Sequence, residues 1–153
     1  MNTLLVPVDF SSVSREVVSD AARLARLAKA RVVLLHVVQL PVIATDYGML
    51  FENMGEFTVV AARDADRRLA RLKAKLRAGG LRADTVRVIG FPALCILEQA
   101  RKLAASYIVI GSHGHTAFYD LLIGSTASGV LKRASCPVVV VPARKKTSRK
   151  SRR

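Results

Sequence analysis

The sequence predicts a single α/β domain built on an open, mostly parallel sheet. Three observations predict it. Apolar strand-like runs alternate with helix-like stretches along the whole chain, the run Arg31–Gln39 is rich in Val and Leu on both faces, and a glycine-rich turn follows the apolar run Ser106–Ile110. Alternation of this kind places helices against a parallel sheet, whose strands are buried on both sides. At 153 residues and 51% apolar content the chain is one domain by length, with enough apolar surface for a core.

Five strands and their connections follow in order. Leu4–Val8 is a short apolar run, and Ser11-Ser12 offers an N-cap for a helix reaching Ala30, with Val17, Ala21, Leu24, Ala25 and Ala28 on one face. Arg31–Gln39 is the second strand. A long helix runs from about Glu56 to Ala78, with Leu69, Leu72 and Leu76 as its apolar stripe, Asp64 and Arg68 at i,i+4 spacing and Gly79-Gly80 as its stop. Thr85–Ile89 is the third strand, and Gly90-Phe91-Pro92 turns into a helix ending near Ala105. Ser106–Ile110, a helix over Thr126–Ala134 and the strand Pro137–Val141 complete the pattern. Two stretches depart from it: residues 41–55, which have the least regular pattern, and His113–Gly124, longer than a minimal turn. Long loops at the ligand edge of a sheet are usually functional.

The formal net charge is +14, unevenly spread. The last ten residues, Arg144–Arg153, hold seven of the 25 basic residues and no acidic one, so the rest carries 18 basic against 11 acidic, a net +7. From residue 143 on, the composition predicts a disordered basic tail outside a folded domain of residues 1–142. No apolar run reaches the roughly 18 residues of a membrane span, and the start lacks the pattern of an export signal. A cytoplasmic protein without membrane contact is the expectation. Cys95 and Cys136 stand alone in apolar surroundings and read as buried thiols.

Gly111-Ser112-His113-Gly114, then nine residues, then Gly124-Ser125-Thr126 is the motif that carries chemistry. It lies at the carboxyl end of a strand, where open α/β sheets bind ligands. Backbone without Cβ atoms brings N–H groups against an anion, and a helix beginning near Ser125 adds unpaired N–H groups and a positive dipole end. Glycines as turn punctuation and Ser125 as a plain cap are the bland alternative. Neither G-x-x-x-x-G-K-[ST] nor G-x-G-x-x-G is present. Asp9, at the end of the first strand, is placed either to hold Mg²⁺ beside phosphate oxygens or to cap the following helix. His113 and His115 flank a loop glycine and suit phosphate contact or solvent better than acid–base work, since no partner for either imidazole can be named. His36, inside an apolar strand, receives no role.

The spacing G-x2-G-x9-G-[ST] resembles the nucleotide-binding signature of the universal stress protein family, in its ATP-binding branch. Leu4–Ser11, Leu34–Val38, Gly90–Ala93 and Ser135–Val141 resemble further blocks of that family, in the same order. The resemblance implies a five-stranded parallel sheet of order 3-2-1-4-5 with helices on both faces, Rossmann-like in character. It implies that Pro7, Val8 and Asp9 face a nucleotide and its Mg²⁺, and that Val37 and Val38 meet adenine, partly through main-chain groups. Ile110, Gly111, Ser112, His113, Gly114, Gly124, Ser125 and Thr126 would then carry ribose and phosphates. One departure is Ser106, where the family commonly has an acidic residue; a surface change is expected. The basic tail is a second departure.

ATP binding with Mg²⁺ in a stress-response sensor or regulator is the function this implies, with hydrolysis at most slow because no positioned base and cation converge on a γ-phosphate. An adenylating enzyme of a related α/β class is the first alternative, although the chain is short for it and has Asp9-Phe10-Ser11-Ser12 where a glycine-rich loop would be needed. A polyanion or nucleic-acid module acting through Arg144–Arg153 is the second, though no aromatic stacking residue lies in the tail. The apolar last strand Pro137–Val141, read as a sheet edge, invites another chain. The resemblance likewise implies a homodimer through this strand.

Overall fold

The structure, a computed structural model, describes residues 2–39, 54–113 and 123–143, without the side chains of residues 54, 56 and 57. Five strands form one parallel sheet of order β3-β2-β1-β4-β5: β1 (Thr3–Pro7), β2 (Arg31–Val38), β3 (Ala83–Ile89), β4 (Tyr107–Gly111) and β5 (Val138–Val141). The four helices are α1 (Ser14–Leu27), α2 (Met54–Ala78), α3 (Pro92–Lys102) and α4 (Ser125–Leu131). The expected fold and strand order are both present. The irregular stretch at 41–55 lies largely, and the basic tail apart from Ala143, outside the described residues.

Period-two alternation divides the core. Leu4, Val6, Val32, Leu34 and Val109 point to the face covered by α1 and α2, where they meet Val17, Ala21, Leu69 and Leu76. Leu5, Val33, Leu35, Ile108 and Ile110 point to the other face, where Ile96, Ala100, Ala127 and Val130 of α3 and α4 cover them. Both sides of β1 are sealed. That explains why its sequence is a continuous apolar run.

Element ends shift from the sequence reading by one to three residues in most cases. α1 is the instructive one: Ser11-Ser12 is not its cap. Val13 stands at the N-cap position with no side-chain hydrogen bond, and the turn before it is fixed by Asp9 instead. There the Asp9 carboxylate oxygen Oδ1 accepts from the Ser11 backbone N–H at 2.9 Å and from the Ser14 hydroxyl at 2.8 Å. Phe10, between them, is held at φ +61, a left-handed conformation that costs a side chain roughly 1 kcal/mol or more.

Ser106 is not a plain surface change. Its backbone N–H donates to the Thr3 carbonyl at 2.8 Å, while its hydroxyl accepts from the Thr3 N–H at 3.3 Å, so it clamps the start of β4 to the start of β1. Cys95 and Cys136 are half-buried free thiols rather than core residues, and burial pushes both thiols up from their ordinary range.

Candidate functional site

The strand order reverses direction at β1, whose neighbours β2 and β4 are reached by connections running to opposite faces of the sheet. Such a switch point opens a crevice at the carboxyl ends of the strands. Here it is a cleft of about 350 Å³, within the roughly 300–1,000 Å³ common to small-molecule sites. Pro7, Val8 and Asp9 enter it from β1, Val37 from β2, and Ile110, Gly111, Ser112 and His113 from β4 and its turn. Gly124, Ser125 and Thr126 close it from the start of α4. Segments distant in sequence therefore meet at one place.

Two expected residues are not among these. Gly114 lies outside the described residues. Val38 does not line the cleft: successive strand residues alternate faces, so Val37 and Gln39 reach it while Val38 is buried elsewhere, its carbonyl accepting from the Gly90 N–H at 3.1 Å. The sequence reading also missed Gln39, Pro92, Ile96 and Ser11. Pro92 and Ile96 were legible in principle, because the turn Gly90-Phe91-Pro92 ends at the same sheet edge.

The glycines have a reason that owes nothing to a ligand. A Cβ on Gly111 would stand 3.1 Å from Val13 Cγ1, 3.2 Å from Val17 Cγ2 and 3.3 Å from the His113 carbonyl, so it would crowd the seat of α1 on the end of β4. A Cβ on Gly124 would lie 3.2 Å from the Ser112 carbonyl, which already accepts the Gly124 N–H at 2.6 Å. That bond ties the two ends of the long loop together. Gly124 is also the N-cap of α4, in extended conformation with no side-chain cap, so Ser125 is not a plain cap.

Ser112 is buried and fully committed. Its N–H donates to the Val141 carbonyl at 2.8 Å, its hydroxyl lies 3.0 Å from His113 Nδ1, and that hydroxyl accepts the Ala143 N–H at 3.2 Å. The residue thus locks the β4 turn to the end of β5. Ser11 differs: its hydroxyl oxygen is buried at the cleft wall with no hydrogen-bond partner among the described residues. Buried hydroxyls are normally paired, and an orphan at the wall of a cleft suits a polar ligand.

Among the described residues no group of three or more His, Cys, Asp or Glu is placed to hold a metal ion. A cation here would need ligands beyond Asp9. The lining otherwise combines hydroxyls, main-chain amides, the Gln39 amide, the His113 imidazole and apolar side chains, and among the described residues it contains no Lys or Arg.

Behind the cleft, His36 Nδ1 lies 2.8 Å from the Val8 carbonyl. Burial holds the imidazole below its ordinary pKa, outweighing the hydrogen bond to Val8 and the nearby Asp9 charge, which act the other way.

The universal stress protein family model matches residues 1–142. The chain belongs to the universal stress protein family. Universal stress protein MJ0531 of Methanocaldococcus jannaschii is 33% identical over 144 residues, covering 94% of this chain and 83% of its own. Among solved structures, universal stress protein UspA from Lactobacillus plantarum is 25% identical with a TM-score of 0.82, covering 92% of this chain and 97% of its own. A universal stress protein from Archaeoglobus fulgidus, solved in complex with dAMP, is 23% identical with a TM-score of 0.66 and shares the fold, covering 92% and 97% of the two chains. Among the described residues this universal stress protein has no helix long and apolar enough to cross a membrane.

Proposed function

We propose that this protein binds an adenine nucleotide, ATP with Mg²⁺, in the cleft at the switch point. The single observation that carries the reading is the convergence of Pro7–Asp9, Val37, Gly111–His113 and Gly124–Thr126 on one crevice. Apolar Val37, Ile96 and Pro92 suit a flat base, while Ser125, Thr126 and the orphaned Ser11 hydroxyl suit phosphate and ribose oxygens. A dAMP-bound protein of the same fold supports the ligand class through the fold alone. Mg²⁺ fits as part of the nucleotide: it accepts a few carboxylates with phosphate oxygens and water, and Asp9 supplies one carboxylate at the cleft.

The role we assign is binding and signalling in a cytoplasmic homodimer, with hydrolysis at most slow. No Lys or Arg among the described residues lines the cleft to stabilise a transferring phosphoryl group. Calorimetric titration with ATP and MgCl₂ tests the reading, with Ser125→Asp as the informative variant. Ser125 is exposed at the first position of α4, where an acidic residue does not harm a helix, yet its charge would oppose phosphate. Affinity lost about tenfold or more in that variant, at unchanged melting temperature, is the expected result. No heat from the intact protein at high concentration overturns the reading.

A further inference from the structure

We propose that the groove between α1 and α2 is a docking site for an acidic amphipathic helix of a partner protein. The groove has a volume of about 690 Å³ and lies on the face of the sheet opposite α3 and α4. α1 packs on β1, β4 and β2, and α2 on β3 and β2, which leaves an open valley between them. Its walls are two cationic rows: Arg15, Arg23 and Arg26 on α1, and Arg68, Arg71 and Lys75 on α2. At 1.5 Å per residue these rows extend about 16 Å and about 10 Å. Val18, Ala22, Leu72 and Leu76 form the apolar floor between them.

Positions 15, 19, 23, 26 on α1 and 68, 71, 75 on α2 follow three- and four-residue steps, so each wall is one helical stripe along the groove. No acidic residue lines the groove. Arg23 and Arg68 have carboxylate partners in Asp20 and Asp64, but Arg15, Arg26, Arg71 and Lys75 have none within ion-pair distance among the described residues. The groove thus gathers six cations against no carboxylate of its own lining. Arg26 donates to the Gly79 carbonyl at 3.2 Å but meets no carboxylate among the described residues. An apolar floor flanked by cations, four of them without a carboxylate, is the complement of a helix with an apolar stripe and acidic flanks. A nucleic acid fits less well, since phosphates gain nothing from an apolar floor and the one aromatic ring here, Phe10, is already stacked on His36. The groove is separate from the proposed nucleotide cleft, but Ser11 and Ser14 line both.

The test is fluorescence anisotropy on the full chain without nucleotide. The probe is a labelled peptide of about 18 residues carrying Leu at i, i+3, i+4, i+7 and Glu on both flanks; its controls are the same residues in scrambled order and a single-stranded DNA of similar length. Expected is binding at least about tenfold tighter for the patterned peptide than for the scrambled one. Arg71→Glu with Lys75→Glu, and separately Arg15→Glu, should each weaken it about tenfold; all three positions are exposed, and circular dichroism confirms that the variants fold. Replacing the seven tail cations by Ser should leave it unchanged. Equal affinity for the scrambled peptide, loss of binding in the tail variant, or absence of binding at about 100 μM overturns the proposal. DNA binding that exceeds peptide binding and is lost in the groove variants overturns it in favour of a nucleic-acid site.

Discussion

The imidazole of His36 stacks on the ring of Phe10, with centroids 4.4 Å apart and 29° between the planes. The same imidazole reaches the Val8 carbonyl, and the Arg68 guanidinium approaches the Phe10 ring at 5.3 Å. One strand and one helix thereby hold the turn that presents Asp9. Phe10 keeps its positive φ because these contacts offset the backbone cost.

Substitution at Phe10 separates the two contributions. Phe10→Ala loses the stack and the cation–π contact but keeps the strained backbone, whereas Phe10→Gly loses the same contacts and relieves the strain. Urea unfolding should find both variants less stable than the parent, with Gly above Ala by about 1 kcal/mol. Equal stability of the two would mean that the turn relaxes once the ring is gone.

Acid sensitivity follows from His36. Its pKa in the folded protein lies below the ordinary 6.5, so the unfolded chain takes the proton more readily. Stability therefore falls as pH drops through and below that value. His36→Phe keeps an aromatic ring against Phe10 and removes the titration. Urea midpoints at pH 7.5 and 5.5 should differ less in this variant than in the parent; an unchanged difference would assign the acid sensitivity to other groups.

Gly111→Ala tests whether the first loop glycine serves packing. The added methyl meets Val13, Val17 and the His113 carbonyl, and overpacking of this kind costs about 1–3 kcal/mol. Combining it with Val17→Ala should cost less than the sum of the two single losses, because the second change opens the space the first one needs. Strict additivity would point to a cause other than this contact.

The proposed homodimer is tested at Val139. It lies on the edge strand β5 and is 38% exposed, the most accessible kind of position for a pairing chain. Val139→Lys should give a monomer by light scattering at micromolar concentration, with unchanged circular dichroism, since Lys at an exposed edge opposes strand addition. A parent protein that is itself monomeric removes the dimer from the proposal.

Much of this was legible in the sequence. The five strands are legible because burial on both faces makes each an uninterrupted apolar run, and Leu4-Leu5-Val6 shows this most clearly. The entry turn to α1 is not, because Ser11 and Ser14 both donate to the Asp9 carboxylate, and their spacing does not say which atom accepts. Val38 stands apart from the cleft lining for a local reason: strand alternation sends Val37 and Gln39 to the cleft and turns the Val38 side chain away. The glycine loop was recognised, but its packing against Val13 and Val17 depends on how α1 crosses β4, which no spacing expresses. The α1–α2 groove needs two stripes some fifty residues apart to face each other, and only the sheet brings them there.

β1 at the centre of the sheet has a consequence for synthesis. Thr3 and Ser106, which join β1 to β4, are 103 residues apart. A chain leaving the ribosome can pair β1, β2 and β3 before β4 has emerged, and until then one flank of β1 stays bare. During that interval there is half a crevice, with Asp9 and Val37 in place but no opposite wall. A ligand that needs both walls has nothing to hold until β4 and the start of α4 have joined the sheet, so its capture reports a closed crevice rather than a half-built one.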